Sequence, residues 1–151
     1  DHGVVPAGYR AIDSLRVEKG YPAWGADITP EEDPFQAGLG FAVDMEKDFV
    51  GKESLMARRD RERPLLATLT LEDTRAMVLG NEPVFHGGDV VSRITSGGIG
   101  YAVERSIASA YLPGSLPDLG TRLEVEVFGE RVSAEVVGRA LWDPSGNRIR
   151  T

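Results

Sequence analysis

Arg16 is the side chain in this sequence that is best suited to bind a ligand. A guanidinium on a helix can hold a carboxylate, or the polar edge of a planar ligand, with its fork of N–H donors. Tyr9, Tyr21 and Trp24 lie nearby in sequence and could supply a stacking surface for an aromatic ligand. The alternative is a surface ion pair between Asp13 and Arg16, with the aromatic residues in the core. Spacing alone favours that alternative, because such pairs are common on helices.

The remaining polar clusters give no defensible acid–base pair, triad or metal site. His86 stands alone in a turn, where a surface position is far more common than a metal ligand or a base. The glycine-rich segment 95–100 lacks a lysine and is followed by strand-like residues, so it favours a loop or bulge where the backbone passes close to another element. Asp27 and the acidic run 31–33 lack the spacing of a calcium loop and favour a solvated turn. The sequence therefore predicts no catalytic residue and no metal ligand.

The composition is that of an ordinary soluble globular protein. The 151 residues are 41% hydrophobic and 27% charged, which suffices for a core. The net charge of -7 argues against nucleic acids and anionic membranes, and no apolar run approaches the roughly 20 residues of a membrane helix. Cysteine is absent, so disulfides and thiolate sites are excluded; we expect the reducing cytoplasm, although other compartments also fit. The sequence starts with Asp1 on a turn-like segment, from which we expect a piece of a longer protein.

The first part of the chain combines helices with loops. Tyr9, Ile12 and Leu15 recur at helical spacing, and the pattern predicts a helix over 7–19 that ends at Gly20. The other elements predicted there are a loop over 21–36, a short strand at 41–43 and a helix over about 52–61 with Leu55 and Met56 facing inward.

From residue 63 onward the pattern changes to strands. Residues 65–71 alternate, and the clearest alternation spans 122–137, with Gly129-Glu130 as a tight two-residue turn. Further strand candidates are 90–94 and 106–112. The pattern thus predicts an α+β chain, with mixed helix and loop over 1–62 followed by a small antiparallel β-barrel or sandwich over 63–151.

Several separated motifs, in the correct order, resemble the glycine cleavage T-protein (aminomethyltransferase) family. Segment 8–21 contains its Ser-Leu-Arg-aliphatic-Glu-x-Gly helix, and 24–28 is similar to its aromatic-Gly-x-Asp turn. The other matching segments are 34–43, 48–55, 81–84, 95–97, 107–113 and 141–144. The last of these is similar to the tail of the dimethylglycine oxidase branch, so the chain most resembles the folate domain that is fused to dimethylglycine and sarcosine oxidases.

The resemblance implies a fold and a site. In this family a three-part domain surrounds a tetrahydrofolate site, and its last part is an antiparallel β-barrel of jelly-roll type. Residues 1–62 would be the C-terminal remnant of the folate-binding α+β subdomain, and 63–151 would be the barrel. Arg16 matches the arginine that helps to hold the folate. Tyr9, Trp24 and Arg148 occupy positions near that site. The catalytic aspartate of the family lies upstream and nothing here matches it, so the chain alone should be inactive and hold one wall of the site.

The function implied is tetrahydrofolate-dependent transfer of a one-carbon unit from an amine. The parent would be an aminomethyltransferase or a folate-coupled N-methyl amine oxidoreductase, with FAD in a missing N-terminal domain. Its partners would be folate, a small amine substrate or carrier, and the rest of its own chain, without nucleic acid or membrane. The leading alternative is a structural or interaction barrel with a decayed folate site. An iron–sulfur repair protein, a group marked by a cysteine, and an unrelated β-barrel binding domain are the others.

Overall fold

The described residues form a closed antiparallel β-barrel that is preceded by helices and loops. The structure, a computed structural model, describes residues 2–59, 61–148 and 150. Two α-helices and a 3-10 turn come first: α1 (Tyr9–Glu18), the turn Gly40–Ala42, and α2 (Lys52–Arg59). The strands are β1 (Leu65–Leu71), β2 (Pro83–His86), β3 (Asp89–Gly100), β4 (Arg105–Leu112), β5 (Arg122–Val127) and β6 (Glu130–Val137). The predicted α+β class with a small antiparallel barrel is confirmed.

The barrel closes in the order β1-β4-β3-β2-β5-β6, and β6 returns to β1 with Leu69 opposite Val136. Alternate residues of the strands point inward, as the sequence pattern predicts. Deeply buried aliphatic residues of this barrel core include Leu69, Val84, Ile94, Leu112, Val125 and Val136. Each such aliphatic side chain contributes about 1.5–3 kcal/mol to folding relative to an exposed position. This core gives the rest of the chain a rigid surface against which to pack.

The hairpin between β5 and β6 turns one residue earlier than predicted. Val127 pairs with Glu130, so the turn residues are Phe128 and Gly129. Their φ angles are 51° and 85°. Both are positive, as the two central residues of a type I′ hairpin turn require. The prediction of Gly129-Glu130 was wrong because the alternating pattern continues through Glu130, which belongs to the β-ladder.

The glycine-rich segment 95–100 is the second half of β3 and not a loop. The register shifts between Ile94 and Ser96, so the predicted bulge is present. The predicted close backbone approach is also confirmed. A Cβ atom on Gly97 would lie 2.2 Å from Cγ2 of Val78 and 2.6 Å from the carbonyl oxygen of Ile107. The glycine thus allows the chain around Val78 to pack directly on the barrel wall.

The helical part agrees with the sequence in outline and differs in detail. Helix α1 ends at Glu18, and Gly20 follows with a φ of 67°, as predicted. Residues 41–43 do not form a strand, because every strand of the closed barrel already has two neighbours and leaves no free edge. In α2, Met56 is 52% exposed, which contradicts its predicted inward position. That helix carries no buried residue, and residue 60, within its predicted span, lies outside the described residues.

Helix α1 packs on β3 through its C-terminal half alone. Val17 and Glu18 are buried, and the hydroxyl of Ser14 donates to the carbonyl oxygen of Ile99 at 2.7 Å. The apolar side chains of Ile12 and Leu15 are 62% and 63% exposed. The face that gave the helical pattern in the sequence is therefore open to solvent.

The close approach at Gly97 predicts a localised loss of stability. We expect Gly97→Ala to lower the free energy of unfolding by about 1–3 kcal/mol, because the added methyl group overpacks a filled region. The next residue in β3 is a matched control: a Cβ atom on Gly98 meets only Cγ2 of Val17, at 4.0 Å. Urea unfolding of both variants checks this expectation, and equal losses for Gly97→Ala and Gly98→Ala would contradict it.

Candidate ligand site around Arg16

A tight turn after α1 directs Asp27 toward the barrel. The carbonyl oxygen of Ala23 accepts hydrogen bonds from the N–H groups of Asp27 and Ile28, at 2.8 and 3.2 Å. Gly25, with a φ of 87°, donates to the carbonyl oxygen of Ile28 and completes the turn. As a result Asp27 is only 1% exposed, although it lies in a segment rich in proline and acidic residues.

The buried carboxylate of Asp27 is fully hydrogen-bonded. Its Oδ1 accepts from the hydroxyls of Thr95 and Ser96 at 2.5 and 2.6 Å. Its Oδ2 accepts from the N–H of Ala23 at 2.8 Å and from Nη1 of Arg16 at 3.2 Å. The backbone carbonyl of the same residue accepts from the hydroxyl of Tyr111 at 2.8 Å. One residue of the loop thus joins α1 to both β3 and β4.

Arg16 is held on two of its three nitrogen atoms. Nε donates to Asp13 at 3.1 Å, which is the surface pair that the sequence suggested as an alternative. Nη1 donates to Asp27, to the carbonyl oxygen of Tyr21 at 3.3 Å and to the hydroxyl of Ser96 at 3.5 Å. Among the described residues, none accepts a hydrogen bond from Nη2. The Arg16 side chain is 20% exposed, so the two N–H groups of Nη2 are available to a ligand.

The aromatic candidates are on the surface and not in the core. Tyr9 is 79% exposed and Trp24 is 74% exposed, so the alternative that placed them in the core is wrong. Tyr9 is the first residue of α1 and lies about two turns before Arg16, on the same face of the helix. Trp24 belongs to the turn that presents Asp27. Both rings are accessible to a planar ligand; their role stays a prediction.

The C-terminal tail docks on the end of α1. The carbonyl oxygen of Glu18 accepts from the N–H groups of Leu141 and Trp142, at 2.9 and 3.0 Å. Lys19 donates to the carboxylate of Asp143 at 2.9 Å and also to its backbone carbonyl. This hydrogen bond from Lys19 lowers the pKa of the Asp143 carboxyl below its usual value.

The same tail positions Arg148. The carboxylate of Asp143 accepts from the N–H of Asn147 at 2.9 Å and, more weakly, from that of Arg148. The guanidinium of Arg148 lies 5.6 Å from the ring centre of Trp142, and Nζ of Lys19 lies 5.3 Å from it. These distances are within the range of cation–π attraction. The tail therefore brings Arg148 toward the C-terminal end of the helix that carries Arg16.

An open groove of about 1240 Å³ lies beside the Asp27 turn. Its lining includes Thr29, Glu32 and Tyr111, together with Gly80, Arg93 and Thr95. Burial raises the pKa of the Tyr111 phenol, and the nearby Glu32 and Asp27 carboxylates raise it further, so that the hydroxyl remains a donor at neutral pH. The hydrogen bond from the Thr29 hydroxyl lowers the pKa of Glu32. Tyr111 as a hydrogen-bond donor and Glu32 as an acceptor thus both stabilise the groove wall.

The acidic residues of the loop are used by the protein itself. Glu32 accepts from Thr29, Asp33 pairs with Arg63, and Asp27 pairs with Arg16. Within the described residues, no group of histidine, aspartate or glutamate side chains is arranged to hold a metal ion. His86 is exposed at the end of β2, as expected for a surface residue. No helix in the described part of the chain is long and apolar enough to cross a membrane.

The sequence did not single out Asp27 as a residue of the site. The signal was present, because the segments that carry the family resemblance include 24–28, 95–97 and 107–113. The structure shows why they occur together: the first supplies Asp27, and the other two supply the Thr95, Ser96 and Tyr111 hydroxyls that bind it.

This fold and these contacts define a barrel domain of a known family. The model described as "Glycine cleavage T-protein C-terminal barrel domain" matches residues 65–143, and the "GCVT N-terminal domain" model matches residues 1–47. The chain belongs to the glycine cleavage T-protein family.

Individual relatives agree with this assignment. The chain is 33% identical to human mitochondrial dimethylglycine dehydrogenase and 39% identical to 4-methylaminobutanoate oxidase (formaldehyde-forming) from Paenarthrobacter nicotinovorans; each match covers 99% of this chain and 18% of the relative. It is 39% identical to an aminomethyltransferase from Parasynechococcus marenigrum, over 94% of this chain and 39% of that protein. The crystal structure of the glycine cleavage system aminomethyltransferase T from Bartonella henselae matches with a TM-score of 0.76 and 28% identity, over 85% of this chain and 37% of that one. The chain thus spans less than two fifths of each of these proteins.

The ion pair between Lys19 and Asp143 predicts an acid-sensitive contribution to stability. The pKa of Asp143 is lower in the folded state than its ordinary value of 3.8. The ion pair therefore contributes fully to the free energy of unfolding above pH 3.8, and this contribution is lost as the pH falls through the folded-state pKa. We therefore expect Asp143→Asn to lower the melting temperature at neutral pH, and the difference from the wild type to shrink on acidification below the ordinary pKa of 3.8. Thermal unfolding over this range, with the exposed Asp118→Asn as a control, tests the expectation. A difference that does not change with pH would contradict it.

Proposed function

We propose that this chain is the C-terminal part of a tetrahydrofolate-dependent aminomethyl transferase domain and forms one wall of the folate site. The observation that carries the proposal is the state of Arg16. Its guanidinium is fixed by Asp13 and Asp27, yet Nη2 keeps two donors that no described residue uses. A pre-oriented guanidinium of this kind suits the carboxylate or the polar edge of a folate. The family to which the chain belongs includes aminomethyltransferases.

The other candidate residues have supporting roles in the proposal. The exposed rings of Tyr9 and Trp24 offer surfaces on which a planar ligand can stack. Arg148, placed by the tail near the end of α1, adds a second cation for an anionic ligand. Residues 1–62 would be the remnant of the folate-binding subdomain, and 63–151 would be the barrel that supports it.

The division of labour follows from the residue types. Tetrahydrofolate, when bound, supplies the nitrogen that accepts the one-carbon unit. Arg16 cannot act as an acid or a base, because a guanidinium keeps its proton in this pH range, so its contribution is to bind and orient. Positioning of this kind can supply much of a rate enhancement. The catalytic carboxylate that the family resemblance implies would come from a segment upstream of α1, and we expect no activity from this chain alone.

The parent protein would be an aminomethyltransferase or a folate-coupled N-methyl amine oxidoreductase. Relatives with both kinds of name match the chain over almost its whole length. In the second case a preceding domain would hold FAD and oxidise a small amine. Because the matching proteins include mitochondrial enzymes as well as bacterial ones, the cytoplasmic location stays a prediction.

One observation favours a second function, that of an interaction or structural module with a decayed folate site. The apolar side chains of Ile12 and Leu15 on α1 are mostly exposed and could contact another protein surface. The intact set of contacts around Arg16 favours the transferase proposal over this alternative.

Calorimetry with tetrahydrofolate tests the proposal. We expect the longer protein that contains these residues to bind folate, and Arg16→Ala to weaken the binding about tenfold or more, because a hydrogen bond to a charged group is lost. The 151-residue chain should bind little or none, since it supplies only one wall. Arg131→Ala is a matched control, because this arginine stacks on Phe85 with its guanidinium 3.8 Å from the ring centre, away from the site.

Two outcomes would count against the proposal. If the longer protein does not bind folate, the transferase function is wrong and the interaction module becomes the better account. If it binds folate equally well with Arg16→Ala, the folate site does not include the face of α1 that carries Arg16.

A further inference from the structure

We propose that Asp27 is a positioning residue that fixes the guanidinium of Arg16 so that its Nη2 group faces the ligand. The inference rests on the proposed function for the identity of the ligand, but its geometric part can be tested without any ligand. Asp27 would not touch the folate. It would act through Arg16.

Asp27 is itself immobile, which a positioning residue must be. Its Oδ1 is held by the hydroxyls of Thr95 and Ser96, both at 2.6 Å or less, and these residues belong to the barrel wall. Its backbone carbonyl is fixed independently by the hydroxyl of Tyr111 on β4. These contacts fix the orientation of the carboxylate. Oδ2 is therefore held in place as the acceptor of Arg16.

Arg16 is restrained about more than one bond as a consequence. Asp13 binds Nε, whereas Asp27, Tyr21 and Ser96 accept from Nη1. Two planar nitrogen groups bound to separate acceptors fix both the direction and the plane of a guanidinium. The remaining Nη2 group then has a set direction before any ligand arrives, and binding loses less side-chain entropy.

Asp27 is not needed merely to attach α1 to the barrel. The hydroxyl of Ser14 donates to the carbonyl oxygen of Ile99 at 2.7 Å, and the buried carboxylate of Glu18 accepts from the N–H of Ala102 at 2.6 Å. These contacts anchor the C-terminal half of the helix and do not involve Asp27. The role that remains for the carboxylate is the orientation of Arg16.

The first test is nuclear magnetic resonance of the Arg16 guanidinium in the 151-residue chain, with Arg16→Lys used to assign the signals. Slow rotation in the wild type should give separate Nη signals. Asp27→Asn keeps the side-chain shape and can keep Oδ1 for the two hydroxyls, but it replaces the Oδ2 acceptor of Arg16 and Ala23 with an NH2 group, so the Nη signals should average. Ser14→Ala is the matched control, because it removes an anchor of α1 without touching Arg16, and its Nη signals should stay separate.

If Asp27→Asn fails to fold, the same Nη signals are measured in Ser96→Ala, which retains the Asp27 carboxylate. It frees one side of Asp27 and removes a weak acceptor of Nη1, so the separate signals should be partly lost. If Asp27→Asn folds and its Nη signals are unchanged, the proposal is overturned. If Asp27→Asn does not fold, unchanged Nη signals in Ser96→Ala overturn it.

The second test is a double-mutant cycle in tetrahydrofolate binding by the longer protein. Asp27→Asn should weaken binding about tenfold or more, the scale observed when the outer partner of a metal-binding side chain is removed. In an Arg16→Ala background the same change should have little further effect, because the two residues act as one unit. Additive losses would overturn a role through Arg16. If the wild-type protein binds no folate, the proposed function is wrong, and the guanidinium signals alone decide whether Asp27 orients Arg16.

Discussion

The site depends on a single buried carboxylate. Removing Asp27 from water costs several kcal/mol, and this cost is offset only when each oxygen is hydrogen-bonded or paired with a cation. The chain meets that requirement with donors from three elements: Arg16 of α1, the N–H of Ala23 in the turn, and the Thr95 and Ser96 hydroxyls of β3. Because these donors are distant in sequence, satisfying the carboxylate also fixes the helix, the turn and the strand relative to one another.

A second contact holds the same C-terminal end of the helix. The tail returns to α1, where the carbonyl oxygen of Glu18 binds the backbone at Leu141 and Lys19 pairs with Asp143. The closed barrel gives the Asp27 attachment a rigid base, because Thr95 and Ser96 belong to β3. The position of the Arg16 guanidinium is therefore fixed by the β-barrel, although Arg16 itself is on a helix. This agrees with the general rule that the side chains of a binding site are held by the hydrogen bonds of neighbouring residues.

The sequence predicts what depends on local pattern. Alternation predicted strands β1, β5 and β6 correctly, although not the turn between β5 and β6, because a strand with one buried face has a clear two-residue period. The short strand at 41–43 was wrong, because strand formation needs a partner edge that no local pattern reveals. Whether Tyr9 and Trp24 lie on the surface or in the core could not be decided from the sequence for a similar reason. Asp27 could not be identified from spacing, since its hydroxyl partners are 68 and 69 residues away; the family motifs contained every residue involved, but not the contact.

The crystal structure of the longer protein with bound tetrahydrofolate tests the central claim most directly. The account predicts that Nη2 of Arg16 lies within hydrogen-bond distance of an oxygen atom of the folate, while Nη1 remains on the carboxylate of Asp27. A folate bound away from α1, or an Arg16 that leaves Asp27 in order to reach the ligand, would contradict the account.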